Sequence, residues 1–441
     1  MLLHAAQVLT LNAAHAHLHD AGILIDNGAI VAVEPWGAFE GTSAPVIDLG
    51  NRLVMPGLIN AHTHTPMTLF RGLAEGYCLL GMEGWYNGIR VWELAMTREM
   101  VPPAVLVSCA EMIRTGTTCF NDQYFYMDHI VPAVQQSGLR AALGYGIVEI
   151  GDARAQEWAI QEADAFIGSL RDDPLLKGWV GPHAFFVDNS VATIQKELAL
   201  ADRHNTGFHI HMSTTGEEDA FCHKHYGMSA VQKMAEIGVF EFPVIAAHCL
   251  SIPAQDFPTL AQSPFTALIA PSSCMRAGKT AAPLKAMLDA GIAAALGTDN
   301  VTANNSYDMF KEMQVLGKLM SYREGVPNPI SSQKIVEMAT IDGARALGLQ
   351  NEVGSLEPGK RADLIALDLD EVGWSPRGAQ DIYTALVYSI NGLYVTDTMV
   401  DGRWLMRDRT LQTVDYRAAS RDLDAAFVEL QARRASIEAT S

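Results

Sequence analysis

The chain reads as an α/β protein: a (β/α)8 TIM barrel with a small all-β unit assembled from both chain ends. Three features point there. Short, turn-rich apolar runs fill residues 1–55 and return after residue 352, while apolar strands alternate with helical patterns in between, as parallel βα units require. Several of those strands end in polar residues. Reactive side chains at the C-terminal ends of many successive strands converge only if the strands close into a ring, which favours a barrel over an open doubly wound sheet.

Taken in order, residues 1–55 hold AAQVLTL, AGILIDNGAIVAVE and APVIDLGNRLVM, and Asn27-Gly28 between two β-rich runs predicts a hairpin. Residues 56–352 hold the strand ends GLINAHTH, TTCFND, GWVGPH, GFHIHM, VIAAHC, ALIAPS and AAALGTD. Residues 353–441 hold EVGSLEPGKRADLIALD and LYVTDTMVDGRWLMRD, a second strand set that returns to pair with the N-terminal one, and then a helix over 416–437 with a solvated face.

With 49% hydrophobic and 18% charged residues over 441 positions, the chain has material for a large core. Its formal net charge of −19 disfavours nucleic acid and anionic membrane surfaces, leaving a small molecule as the expected partner. The six cysteines fall in apolar or strand-like segments without a CxxC pair, which suits buried thiols in a reducing compartment. The N-terminus lacks a basic segment followed by a long apolar one, and no window resembles a membrane span, so a cytoplasmic location is expected.

The strand ends carry the chemistry. His62 and His64 of NAHTH lie two apart, so both face one barrel mouth, and His211, His248 and Asp299 stand at three further strand ends. Imidazole nitrogen and carboxylate oxygen suit zinc, iron or another first-row divalent ion. His209 shares a face with His211 and is an alternative ligand from the same strand. The histidines at 4, 15, 17 and 19 sit in the N-terminal β region, where a solvated hairpin accounts for them.

LVMPGLINAHTHTPMTLFRGLAEG, RTGTTCFNDQYFY, GPHAFF, HIHMSTT, AAHC, GTDNVTANNS, MATIDGARALGL and GSLEPGKRADLIALD together resemble the amidohydrolase superfamily, and within it the mononuclear aminohydrolases that include adenosine-type deaminases and triazine hydrolases. The resemblance spans nearly the whole chain. It implies a distorted (β/α)8 barrel, a β-sandwich from both chain ends, a homo-oligomer, and one divalent metal ion, usually zinc and in some members iron. The metal ligands would be His62, His64, His211 and His248, with Asp299 beside both the metal and its water. Asp299 and His248 are the catalytic candidates, Asp299 as the proton shuttle.

The chain also departs from that family. A glutamate is expected three positions after the third histidine, and here His211 is followed at that spacing by Thr214, which carries no titrating proton. Taking His209 as the ligand leaves Met212 there instead. Glu217 and Glu218 follow closely, but their segment reads as a surface helix. Where related enzymes have a histidine and a CPxSN-like loop, LIAPSSCMRAG places Ala270, which makes Arg276 a candidate substrate anchor. His183 of GPHAFF, Trp85 and Thr214 complete the substrate-contact candidates, with Phe185 and Phe186 as apolar walls.

The expected function is metal-dependent hydrolysis of a C–N bond, removing an amino group from a nitrogen heterocycle. Two other readings stand beside it. One is hydrolysis of an amide, urea, carbamate or carbon–halogen bond by the same residues; the other is a non-catalytic metal-containing binding protein.

Overall fold

In the computed structural model, which describes residues 1–149, 153–379 and 381–439, the polar strand ends do meet on a ring. Among these residues its eight parallel strands are Leu58–Thr63, Thr117–Tyr124, Arg140–Ile147, Leu176–Pro182, Phe208–Met212, Val244–His248, Phe265–Ile269 and Ala293–Leu296. Each pairs parallel with the next, the first pair with register shifts at Leu58/Ile59 and Asn60/Thr63. Side-chain and backbone hydrogen bonds close the seam between the last strand and the first. Asn60 Nδ2 donates to Thr298 Oγ1 at 2.7 Å, Thr298 N–H donates to Asn60 Oδ1 at 2.9 Å, and Asp299 N–H donates to the His62 carbonyl at 2.9 Å. Gly297 permits this approach, because a Cβ there would lie 2.8 Å from the His62 nitrogen.

Helices sheathe the ring for ordinary reasons of sequence. Val101–Arg114 begins with prolines in its first turn and buries Val101, Ala104, Val105, Ser108, Cys109, Met112 and Ile113, a stripe at helical spacing. Val191–His204 starts at Ser190, whose hydroxyl accepts the Thr193 N–H, and ends at Asn205 in the left-handed region.

The second sheet holds nine strands among the described residues and is built from both chain ends. Arg52–Pro56 pairs antiparallel with Leu364–Asp368, joining the N-terminal strands to the C-terminal set. The expected hairpin turns at Asn27 and Gly28, with φ of 48° and 77°. Successive residues serve opposite faces: Leu364 and Ala366 join Leu3, Ala5, Ile23 and Val54 in a separate small core, while Ile365 and Leu367 pack with Leu9, Leu53 and Met55 in the core shared with the barrel. The C-terminal helix runs Tyr416–Glu438, with Asp415 accepting the Ala418 N–H at its start. All six cysteines are free, and no helix among the described residues is long and apolar enough to cross a membrane.

Candidate metal centre and its cavity

The first barrel strand delivers His62 and His64 to the mouth, and each ring is aimed by a hydrogen bond on its Nδ1. His62 Nδ1 lies 2.7 Å from His209 Nε2, and His64 Nδ1 donates to the Gln123 carbonyl at 2.6 Å. His211 Nδ1 likewise donates to the His183 carbonyl at 2.9 Å. These bonds leave three Nε2 atoms facing a common point. The ligand atoms of His62, His64 and His211 lie within 4.8 Å of one another, as do those of His62, His248 and Asp299. Asp299 Oδ1 is 3.5 Å from His62 Nε2 and 3.6 Å from His64 Nε2, and the Nε2 atoms of His64 and His211 are 3.3 Å apart.

Two observations show that this donor set fits a divalent cation. His62 Nε2 and His248 Nδ1 are buried polar atoms without a protein partner, a condition that costs free energy unless something else satisfies them. Burial, and then the crowding of neighbouring imidazoles, also pushes His62 and His211 well below the usual histidine range. Rings kept neutral in this way present lone pairs, the form in which histidine binds metal.

The register places His209 and His211 differently. Both point into the barrel, but His209 lies one layer deeper, against the back of His62, with burial and then His64 and His248 lowering its pKa to about 3. With His62 Nδ1–H as donor, His209 fixes the tautomer that leaves His62 Nε2 free. Asp299 sits in the left-handed region at φ 60°, and its Oδ1 accepts both the backbone N–H and the side-chain amide of Asn300. Asn304 supports this loop from behind: its amide donates to Thr298 O and to Glu312. Asp122 is a wholly buried carboxyl bonded to the Thr63 and Thr65 hydroxyls and the Thr65 N–H, and it holds the loop that carries His64.

Above these residues opens a cavity of about 940 Å³, counting its mouth. His64, His183, His211, Thr214, His248, Asp299 and Trp85 all line it, whereas His62, His209, Phe185, Phe186 and Arg276 do not. His62 lies beneath the floor at zero exposure. Arg276 stands outside on the rim, ion-paired with Glu75 at 2.7 Å, which corrects its expected role as a substrate anchor. Phe185 and Phe186 are core residues, leaving Trp85 alone of the expected aromatic walls. Trp85 faces His183 at 5.3 Å between ring centres. Burial lowers the His183 pKa, but the charge and hydrogen bond of Asp188 outweigh it and leave a net rise.

Three cavity residues were not legible as such. Glu93 comes from a short helix, Val91–Glu93, outside the barrel sequence pattern, and it accepts the Tyr124 hydroxyl at 2.8 Å. Gln123 follows TTCFND, where a polar strand end was the available signal. Glu218, expected on a helix surface, is only 3% exposed and lines the cavity, whereas Glu217 is exposed as expected. The helix packs its first turn back onto the strand end instead of onto solvent. Leu79, Leu80, Met82, Ile89, Phe125, Val148 and Val187 supply the apolar wall, and no lysine or arginine lines the cavity among the described residues.

Comparison with known proteins places this geometry in context. The model of the Amidohydrolase family matches residues 53–405. A 5'-deoxyadenosine deaminase from Methanothermobacter thermautotrophicus is 34% identical over 394 residues, covering 88% of this chain and 90% of that protein. A 5-methylthioadenosine/S-adenosylhomocysteine deaminase from Syntrophomonas wolfei is also 34% identical, over 418 residues, 94% of this chain and 95% of that one. Among solved structures, a zinc-bound adenosine deaminase from Xanthomonas campestris superposes with a TM-score of 0.91 at 28% identity, covering 98% of each chain. An atrazine chlorohydrolase from Arthrobacter aurescens, complexed with zinc, shares the fold with a TM-score of 0.86 at 21% identity, covering 97% of this chain and 99% of that one.

Proposed function

The chain belongs to the amidohydrolase family and is a hydrolytic deaminase, and on that premise we propose that it removes the amino group of an uncharged purine nucleoside or a related amino-substituted nitrogen heterocycle at a centre formed by His62, His64, His211, His248 and Asp299. The observation that carries this reading is the convergence of imidazoles and one carboxylate on a point where buried nitrogens lack partners. A divalent ion there, zinc as in the structural relatives, supplies a Lewis acid that makes water nucleophilic at neutral pH.

The remaining work falls to side chains. Asp299 takes a proton from the attacking water and returns it to the departing amine; the Asn300 bonds to Oδ1 hold the carboxylate in orientation. His248, at the end of the sixth strand with φ 80°, turns its ring into the mouth beside Asp299 as the fourth imidazole of the metal-holding set. His183, braced by Asp188, and Trp85 hold the ring. Thr214 lines the wall as a neutral hydrogen-bonding group.

The wall also bears on the substrate's tail. With apolar side chains and carboxylates but no lysine or arginine among the described residues, the wall accepts an apolar or hydroxylated group and leaves a substrate carboxylate without a guanidinium or ammonium partner. The net charge of −19 adds to that bias and disfavours nucleic acid as a partner. The same reading divides the chain at 55/56 and 352/353, places the protein in the cytoplasm and makes it a homo-oligomer, and light scattering of the purified protein checks the oligomeric state.

The test pairs elemental analysis with ammonia release from 5'-deoxyadenosine, 5-methylthioadenosine, adenosine, S-adenosylhomocysteine and aminotriazines. About one metal ion per chain is expected. Uncharged nucleosides should exceed S-adenosylhomocysteine in kcat/KM by ~10-fold or more. A metal-loaded protein that releases ammonia from none of them refutes the reading.

A further inference from the structure

We propose that Glu218 is the acid that protonates the ring nitrogen of the bound heterocycle, a second catalytic carboxyl lining the same cavity as Asp299. The inference rests on the deaminase reading above. Attack of water on an amino-substituted ring carbon is slow while the ring keeps its electrons, and a proton on the adjacent nitrogen makes that carbon electrophilic. Some group on the wall must lend it.

The cavity offers four carboxyls, and their surroundings sort them. Asp299 is among the imidazoles. Glu93 is committed to the Tyr124 hydroxyl and to Arg90, 3.3 Å away. Glu217 is exposed to solvent. Glu218 is buried and forms no ion pair among the described residues.

Its placement is built by the backbone. After His211 and Met212 the chain turns through Ser213 at φ 53° and Gly216 at φ 81°, which reverses it so that the first turn of the helix Glu217–Tyr226 comes back over the strand end. There Glu218 Oε1 accepts the Ser213 N–H. The Ser213 carbonyl in turn accepts the N–H groups of Leu250 at 2.9 Å and Ser251 at 3.1 Å, just beyond His248. The carboxyl is thereby anchored between the third and fourth histidines of the mouth. Burial pushes it above the usual carboxylate range, against the pull of its backbone hydrogen bonds, and Asp219 and Glu217 on its own helix act in the same direction as burial. Cys222 on that helix and Cys249 on the loop after the sixth strand are the other titratable groups coupled to it.

The reaction balances with two carboxyls. Glu218 gives its proton to the ring nitrogen as the water oxygen bonds to the ring carbon and Asp299 takes one water proton. The C–N bond then breaks as Asp299 hands that proton to the amine, and ammonia leaves. The remaining water proton returns to Glu218 as the carbonyl forms, so the product keeps its ring N–H and the enzyme is restored.

Glu218→Gln preserves the acceptor for Ser213 N–H and removes the proton. With metal content and melting temperature at wild-type values, kcat on the best aminoheterocycle is expected to fall ~100-fold or more while KM changes less than ~3-fold. The alkaline limb of the wild-type pH profile should vanish with it. A kcat within ~3-fold of wild type, with that limb intact, overturns the proposal. If the glutamine variant does not reach wild-type melting temperature and metal content, Glu218→Asp decides: a reduced kcat with the alkaline limb still present supports the role, and a profile without the limb refutes it. A wild-type protein inert on every heterocycle fails the earlier reading instead, and does so before any variant is made.

Discussion

His209 illustrates how one residue tunes the site without touching it. Its ring backs His62 at 2.7 Å, and second partners of this kind orient a ligand and raise its basicity. His209→Ala should weaken metal affinity by roughly 10- to 100-fold, read by competition with a chelator, while excess metal restores most of the turnover. An unchanged affinity would mean that packing alone orients His62. The sequence placed His209 and His211 on one face correctly, since the period of two is a property of the extended chain. It left their depth open, because depth depends on how far the fifth strand slides along its neighbours.

At the scale of elements, the loops after the seventh and eighth strands are tied by one carboxyl. Glu312, on the helix Met309–Glu324, accepts the Ser272 hydroxyl at 2.5 Å, the Ser272 N–H at 3.2 Å and the Asn304 amide at 2.8 Å. Burial raises its pKa from 4.5 to about 7, partly offset by the Ser272 and Asn304 bonds. A carboxyl raised on folding binds more protons in the native state, so its contribution to stability is fully present below the unfolded value and is lost as pH rises through the folded one. Between pH 4.5 and somewhat above 7 the wild type should lose about 3 kcal/mol relative to Glu312→Gln. Urea midpoints of both proteins across that range measure it, and parallel curves would contradict the assignment. Nothing in MFKEMQ marks this glutamate as buried: its partners lie on loops that only barrel closure brings over the helix.

The whole molecule is held together across its two sheets by a buried pair. Arg140 begins the third barrel strand, and its Nε and Nη2 donate to Asp363 at 2.8 and 3.2 Å, beside the strand Leu364–Asp368 that joins the chain ends. Arg140→Met leaves Asp363 buried and unpaired, which should cost about 3–5 kcal/mol in urea unfolding. Its metal centre lies at the opposite, C-terminal end of the strands, so the kcat of the folded fraction should stay near wild type. A loss of activity in folded, metal-loaded variant would show the two ends to be coupled.

The sequence by itself determined the order of the strands, the residue types at their ends and the meeting of both chain ends in one sheet. Those follow from periodicity, turn chemistry and the alternation of apolar runs, all properties of neighbouring residues. It could therefore assemble His62, His64, His211, His248 and Asp299 in advance. Only the tertiary structure decided what surrounds them. Closure of the ring put His209 behind His62, the turns at Ser213 and Gly216 carried Glu218 from an expected surface into the wall, and Arg276 was left on the rim beside Glu75. Whether a charged side chain is solvated or buried depends on which distant loops cover it, and that is settled by packing between segments far apart in the chain.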